Sequence, residues 1–271
     1  MAPIMSKAGK HHFVPVFYLK QWAGDDERIC EYRRRYHGVL PKRVFPDATG
    51  YVHGLYSVPG LPAKDAQYVE RRFMSRIDND AALALEWILD ETKLVETLPD
   101  QLKIRWAQFV YSMTFRAPNV IERMQRTMDG QVATGVIKQP KIPFTPAEVF
   151  PSMLTSKFAI GELVSMRWTI CTLNPPSRFL LTSDRPIIMT NGVMHDEGHI
   201  ALPISPRAFF LAYRSDNFFR QVAALTQQAL AEAINDQVAK QAINFVYAFD
   251  DSQTRFVQNR FGTRQRSTPL D

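Results

Sequence analysis

The chain has 271 residues, of which 45% are hydrophobic and 22% are charged. A chain of this length buries about three quarters of its unfolded surface, so it can fold without a metal or disulfides. The composition is close to the globular average and excludes the disordered, collagen-like and disulfide-scaffold classes. We therefore expect a single domain that covers residues 1–271.

The net charge of +6 is unevenly distributed, with arginines grouped at residues 33–35 and again at residues 255–266. Such a balance permits nucleic acid or another anionic ligand as a partner, but a solvated basic face with a mobile tail is the more common explanation. Cys30 and Cys171 show no CxxC spacing, which predicts buried free thiols. Without a signal peptide or an apolar run of about 18 residues, we expect a cytoplasmic protein with no membrane partner.

Short strands are predicted first along the chain, at Arg28–Tyr36, Arg43–Phe45 and Leu55–Val58. Apolar residues then recur at steps of three and four from Asp65 to about Glu91. This period is typical of an amphipathic helix.

Prolines mark the next helices. Pro99 suits a first helical position and predicts a second helix, which Pro118 is expected to kink or end. The stretch Asp129–Pro146 is predicted to be a loop. A third helix is predicted from a capping box between Thr145 and Glu148, whose side chains satisfy first-turn amides.

The last part of the chain returns to short apolar runs, interrupted by one predicted helix at Arg220–Gln241. Helices grouped between strands favour an α+β fold, with helices packed on a mixed or antiparallel sheet, because regular βαβ alternation is missing. The predicted strands are Met166–Leu173, Phe179–Leu181, Pro186–Met189, Ile200–Pro203, Ala208–Tyr213 and Phe245–Phe249.

Two segments carry residues suited to chemistry. His11 and His12 are adjacent, so in an extended segment one can face a site while the other packs. Asp184 follows an apolar run at a turn, where a sheet fixes the backbone and a loop exposes the side chain. The same residues are also typical of an ordinary turn, in which Ser and Asp side chains hydrogen-bond to their own backbone before a proline.

Arg116 is the third signal, because it falls on the apolar face of the predicted second helix. A buried guanidinium needs an acidic or carbonyl partner, and the candidates are Glu70, Asp78 and Asp184. The stretch His195–His199 lies between predicted strands and is interpreted as a hairpin loop, because a helical zinc motif needs another geometry. The common nucleotide-binding, acyl-transfer and zinc-ribbon motifs are missing.

Taken together, these segments resemble the family known as domain of unknown function 4238. Its members open with His-His-(Tyr/Phe)-Val-Pro-x-x-Tyr-Leu, which His11–Leu19 reproduces. Arg116–Pro118 matches the family's Arg-x-Pro, and Thr182–Pro186 its Thr-Ser-Asp-x-Pro turn. The resemblance covers nearly the whole chain. Where the family often has a second glutamate about eight residues after Glu70, this chain has the shorter Asp78.

The first functional hypothesis is a nuclease-like, metal-assisted hydrolase of phosphodiesters. His11, His12, Glu70, Arg116 and Asp184 are its candidate catalytic residues. His12 and Asp184 would hold a divalent metal ion, and Arg116 would stabilise a developing anion. The candidate substrate-binding residues are Tyr18, Lys20, Asn119, Ser183 and Asn235.

The second hypothesis is a non-enzymatic module that binds nucleic acid or a protein, in a bacterial defence or toxin setting. The same polar residues would then form a structural network. Such a network is expected to be dry and fully paired, whereas a catalytic site keeps groups available for a ligand.

Overall fold

A computed structural model describes residues 9–36, 38–58, 63–136, 146–174 and 178–263. Its strands lie at both ends of the chain with most helices between them, which confirms the α+β class. The strands are β1 (Lys10–His12), β2 (Ile29–Arg35), β3 (Gly38–Val44), β4 (Tyr51–His53), β5 (Arg167–Thr172), β6 (Thr182–Ser183), β7 (Ile188–Thr190), β8 (His199–Ser205), β9 (Ala208–Tyr213) and β10 (Phe245–Ala248).

These strands form antiparallel sheets in the orders β1-β4, β3-β2-β10-β6 and β5-β9-β8-β7. Strand β9 is buried along its whole length. Because side chains alternate along a strand, Phe210 and Ala212 pack on the helical core, while Phe209 and Leu211 pack on the opposite core. The continuous apolar run of β9 therefore reflects burial on both faces.

The helices pack mainly through apolar stripes, as in α3, where Ile77, Ala81, Leu85 and Ile88 are buried. Side chains cap the last two long helices: Ser215 accepts from Phe218 and Thr226 from Ala229. The helices are α1 (Val16–Leu19), α2 (Ala63–Ala66), α3 (Ser75–Leu89), α4 (Asp100–Ser112), α5 (Pro118–Ala133), α6 (Pro146–Leu154), α7 (Lys157–Ser165), α8 (Asp216–Ala223), α9 (Gln227–Gln241) and α10 (Thr254–Arg260).

Two predicted strands are wrong. Leu55–Val58 begins in a turn, and the pairing in this region belongs to β4, whose partner is β1. Phe179–Leu181 precedes the sheet, where pairing begins only at Thr182. In both cases a short apolar run indicated burial correctly, but burial alone does not require a paired backbone.

The predicted helix ends need correction at the prolines. Pro99 is the residue before α4, not its first residue, and α4 ends at Ser112, so Arg116 lies in the connection that follows. Pro118 begins α5 instead of ending a helix, because its fixed φ suits a first turn. The Arg220–Gln241 helix is in fact α8 and α9, separated where Thr226 caps the second. Thr145 lies outside the described residues.

Several local expectations hold. The hairpin interpretation of residues 195–199 is confirmed, because β7 and β8 pair antiparallel with Thr190 opposite His199. Both cysteines are free, Cys30 being buried and Cys171 only partly buried. Within the described part of the chain, no helix combines the length and apolarity that crossing a membrane requires.

Candidate active site

Arg116 is the centre of a buried polar cluster. Its side chain is fully buried, and its Nη2 lies 2.6 Å from Asp78 Oδ1. Nε donates to Ser112 Oγ over 2.9 Å, one helical turn earlier in the sequence. Burial disfavours the charge, but the attraction of Asp78 outweighs it and raises the pKa of Arg116 above its ordinary value. The guanidinium therefore stays charged, as the sequence predicted, with Asp78 as its acidic partner.

A π turn brings a second carboxylate to this site. It spans Glu70–Met74 and leads directly into α3. In a regular helix, residues eight apart such as Glu70 and Asp78 point about 80° apart around the axis. A π turn accommodates one extra residue, so Glu70 and Asp78 are placed around the axis as if they were seven residues apart. Seven residues of a regular helix fall within about 20° of two full turns. The two carboxylates consequently lie on one face and interact electrostatically.

Burial changes the acidity of both carboxyl groups. It raises the pKa of Glu70 to about 7, with Asp78 adding to the rise and Arg116 opposing it. Burial also raises the pKa of Asp78, while Arg116 again opposes the change. The Asp78 side chain nonetheless keeps 21% of its accessible surface, so the cluster is not sealed from solvent. A carboxyl group that titrates near neutral pH is suited to proton transfer.

His11 completes the cluster through Tyr56. The backbone N–H of Tyr56 donates to His11 Nδ1 over 3.0 Å, and the two rings stack. Burial lowers the pKa of His11 to about 4, so the imidazole is neutral at pH 7. Because Nδ1 accepts a hydrogen bond, the single ring proton lies on Nε2. The Tyr56 hydroxyl donates to the backbone oxygen of Arg116 over 3.2 Å, which ties the histidine strand to the arginine.

Hydrogen bonding in this cluster is incomplete. Among the described residues, six buried side-chain atoms have no hydrogen-bond partner, and all except Trp106 Nε1 belong to the cluster. Two of the cluster atoms, Arg116 Nη2 and Asp78 Oδ1, nevertheless face each other in the 2.6 Å ion pair. Native proteins rarely leave buried polar atoms unpaired, so this concentration makes the cluster the candidate site. The five atoms are His11 Nε2, Glu70 Oε2, Asp78 Oδ1, Arg116 Nη1 and Arg116 Nη2.

The histidine and arginine motifs that meet here are those of the family resemblance. The family model described as "Protein of unknown function (DUF4238)" matches residues 10–252. The chain belongs to this family. No curated protein and no solved structure matches it.

The third DUF4238 motif, the Asp184 turn, is built differently. Asp184 is buried, and its two carboxylate oxygens accept from the backbone amides of Ile243, at 2.9 Å, and Asn244, at 2.6 Å. Burial raises the pKa of Asp184 to about 6, although these amide hydrogen bonds favour the ionised form. Both oxygens are therefore engaged in fastening the turn to the loop between α9 and β10.

Three predicted substrate-binding residues surround the same turn. The Tyr18 hydroxyl lies 2.6 Å from both Thr182 Oγ1 and the backbone oxygen of Pro203, which joins two sheets. Ser183 Oγ accepts from the backbone amide of residue 185. Asn235 accepts from the Leu181 amide and donates to the backbone oxygen of residue 179. The side chains of Tyr18, Ser183 and Asn235 are buried, and their hydrogen bonds hold neighbouring segments of the chain together around the turn.

Of the remaining predicted residues, His12 lies near enough to the cluster to interact electrostatically with Asp78. Lys20 is exposed after α1, and Asn119 is half-buried in the first turn of α5. His12 Nε2 lies 3.4 Å from the backbone oxygen of Asp47, and burial lowers its pKa. No three His, Cys, Asp or Glu side chains of the described residues are arranged to hold a metal. The His12–Asp184 metal site stays a prediction.

The structure thus brings together Glu70 and Arg116 from the predicted catalytic set and adds Asp78. His11 is joined to them through Tyr56, and His12 interacts electrostatically with Asp78. Sequence reasoning named Asp78 only as a candidate partner and missed Ser112 and Tyr56. Ser112 could have been found from the sequence, because it lies four residues before Arg116 and helical side chains at this spacing are neighbours. Tyr56 gave none, because a buried tyrosine in a turn is usually a core residue.

Proposed function

We propose that the protein is a cytoplasmic hydrolase that cleaves phosphodiester bonds and that the buried polar cluster is its catalytic centre. The observation that carries the proposal is the unpaired state of the cluster. Arg116 Nη1 and His11 Nε2 are buried N–H donors without an acceptor, while Arg116 Nη2 faces the Asp78 carboxylate. Leaving such a donor unsatisfied costs about 1–3 kcal/mol, so a purely structural network would pair them.

The donors match a phosphoryl group. The guanidinium of Arg116 is a planar fork whose two Nη atoms can bind two phosphate oxygens at once. A neutral His11 with its proton on Nε2 adds a third donor without adding charge. Donors held in place in a site of low dielectric stabilise the charge that develops on phosphate oxygens during attack.

Glu70 supplies the proton transfer. With a pKa near 7, its carboxylate accepts a proton from the attacking water, and the water oxygen forms the new bond to phosphorus. The bond to the leaving oxygen breaks, and the same carboxyl group returns the proton to that oxygen. Asp78 holds the guanidinium in position through the 2.6 Å ion pair.

The proposal includes assistance by a divalent metal ion. Mg²⁺ is commonly bound by one or two carboxylates together with substrate phosphates, so a group of three protein ligands is not required. Glu70 Oε2 is an unpaired oxygen of the type this ion prefers, and the Asp78 carboxylate lies on the same helical face. The ion would supply charge neutralisation on the phosphate oxygens.

A non-enzymatic nucleic-acid- or protein-binding module is the second candidate. One observation favours it: Arg116 is fully buried and ion-paired, as in a structural network. In that case the cluster would contribute stability alone, and its substitution would change no turnover.

Hydrolysis assays on purified protein separate the two candidates. Single-stranded DNA, duplex DNA, RNA and bis(p-nitrophenyl) phosphate would each be tested with Mg²⁺, with Mn²⁺ and with EDTA. We expect turnover that falls at least 100-fold in E70Q and is unchanged in E86Q, an exposed glutamate on α3. Absence of turnover on every substrate, or equal turnover in E70Q at unchanged thermal stability, would refute the hydrolase.

A further inference from the structure

A cleft of about 570 Å³ lies between the segment preceding β6 and helix α10. Its wall combines two arginines, two phenylalanines and neutral polar side chains, and none of its lining residues is acidic. A volume of this size is typical of a small-ligand site. It is too small to enclose a nucleic-acid duplex. Its principal residues are Arg178, Phe179, Ser252, Arg255, Phe256 and Asn259.

The two arginines of the cleft have no carboxylate partner of their own, although the Asp250 carboxylate accepts from the amide and hydroxyl of Ser252. Arg260, on the same helix, pairs with Asp236 over 2.8 Å. Arg178 and Arg255 form no ion pair with any carboxylate of the described residues. Two positive charges therefore face a concave surface, where low-dielectric walls strengthen the attraction for an anion.

Aromatic rings hold the guanidinium groups in place. The Arg178 guanidinium lies 4.7 Å from the ring centre of Phe256, and that of Arg260 lies 3.9 Å from the same centre. On the other side of the cleft, Arg207 lies 5.7 Å from the ring centre of Phe179. A stacked guanidinium keeps its in-plane N–H groups free for phosphate oxygens and loses little further entropy on binding.

The arrangement of arginine on phenylalanine continues beyond the cleft. Arg34 lies 5.6 Å from the ring centre of Phe261, which directly follows α10, and its Nη2 donates to the Phe261 backbone oxygen. Stacked arginines thus occur at both ends of α10 and across the cleft. A single phosphate needs converging donors at one point, whereas a row of donors suits successive phosphates of a chain.

We propose that this cleft binds the phosphate backbone of a single-stranded nucleic acid. Arg178 and Arg255 each contact a phosphate, and Asn259 provides a neutral hydrogen bond to the strand. The proposal does not depend on the hydrolase, because binding in the cleft requires neither Glu70 nor Arg116.

Fluorescence anisotropy tests it, with a labelled 12-nucleotide phosphorothioate DNA in EDTA so that turnover cannot interfere. The variant R178Q/R255Q is compared with R126Q/R220Q, which removes the same charge from two exposed arginines on α5 and α8. We expect at least tenfold weaker binding by the first variant and less than twofold by the second. The slope of log K against log salt should also flatten by about 1.4, since each lost phosphate contact in a single strand contributes about 0.7.

Two kinds of result overturn the proposal. Equal weakening of both variants would indicate a general effect of net charge. Undetectable binding by the wild type, or equally tight binding of a duplex or of polyglutamate, would exclude a single strand as the ligand. Turnover lost in E70Q with binding retained would leave the cleft intact, and binding lost in R178Q/R255Q with turnover of bis(p-nitrophenyl) phosphate retained would confirm the two sites as separate.

Discussion

The buried polar cluster and the Asp184 turn both bury a carboxylate, and they treat it in opposite ways. Around Asp184 each oxygen meets a backbone amide. In the cluster, atoms of His11, Glu70, Asp78 and Arg116 are buried without hydrogen-bond partners. A satisfied network fixes the chain, whereas an unsatisfied one has bonding capacity left for a ligand. This difference indicates an anchoring role for the Asp184 turn and supports the catalytic role proposed for the buried polar cluster. Both regions carry motifs of the same family.

The largest expected effect comes from Arg116. Replacing it by alanine leaves Asp78 buried beside Glu70 without its cation, which should cost about 3–5 kcal/mol of the free energy of unfolding. Urea denaturation of R116A measures this cost. The control R126A removes an exposed arginine whose ion pair with Glu122 spans 3.6 Å, and should cost at most about 0.5 kcal/mol. Equal costs for both variants would deny that Arg116 organises the cluster.

Asp184 should give the next largest effect. In D184A the amides of Ile243 and Asn244 lose their acceptors, which should lower the free energy of unfolding by about 2–4 kcal/mol. Catalysis per folded molecule should be unchanged. Denaturation and turnover are measured together, with the exposed D129A as control. A folded D184A without turnover would move Asp184 into the catalytic centre.

Glu70 should make stability fall as pH rises. Its folded pKa, about 7, exceeds the ordinary value of 4.5, so the stability given by the protonated form is complete below pH 4.5 and lost as pH passes 7. E70Q keeps a neutral side chain throughout. The wild type should therefore match E70Q at pH 4 and be less stable at pH 8, by urea denaturation. A difference independent of pH would contradict the raised pKa.

His11 should give a smaller trend of opposite sign. Its folded pKa, about 4, is below the ordinary 6.5, so its stabilising neutral form is complete above pH 6.5 and lost as pH falls towards 4. In H11N the amide oxygen can accept from Tyr56 and does not titrate. The wild type should lose stability against H11N between pH 6.5 and 4. A difference between the wild type and H11N that does not change with pH would contradict the lowered pKa.

The sequence was sufficient where local pattern and tertiary packing agree. Strand β9 was predicted with its correct bounds, because both of its faces are buried and every residue is apolar or aromatic. The burial of Arg116 was predicted from the apolar stripe, even though α4 ends before it. Its acidic partner was among the three candidates named.

The sequence was insufficient where long-range contacts decide. The π turn that aligns Glu70 with Asp78 has no sequence signal of its own, since it depends on how the helix packs. Asp184 was placed correctly at a turn, but its role depends on amides about sixty residues later in the chain. Sequence spacing could not distinguish a carboxylate fixed by amides from one left for a ligand.

The dependence of the hydrolysis rate on pH tests the central claim most directly, namely that Glu70 in the cluster performs chemistry. Single-turnover cleavage of a labelled oligonucleotide would be followed from pH 5 to pH 9 in the wild type and in E70Q. The account predicts a wild-type rate that rises about tenfold per pH unit up to about 7, then levels, as the carboxylate forms. E70Q should lack that rise. A rising limb that persists unchanged in folded E70Q would show that another group is the base and would contradict the account.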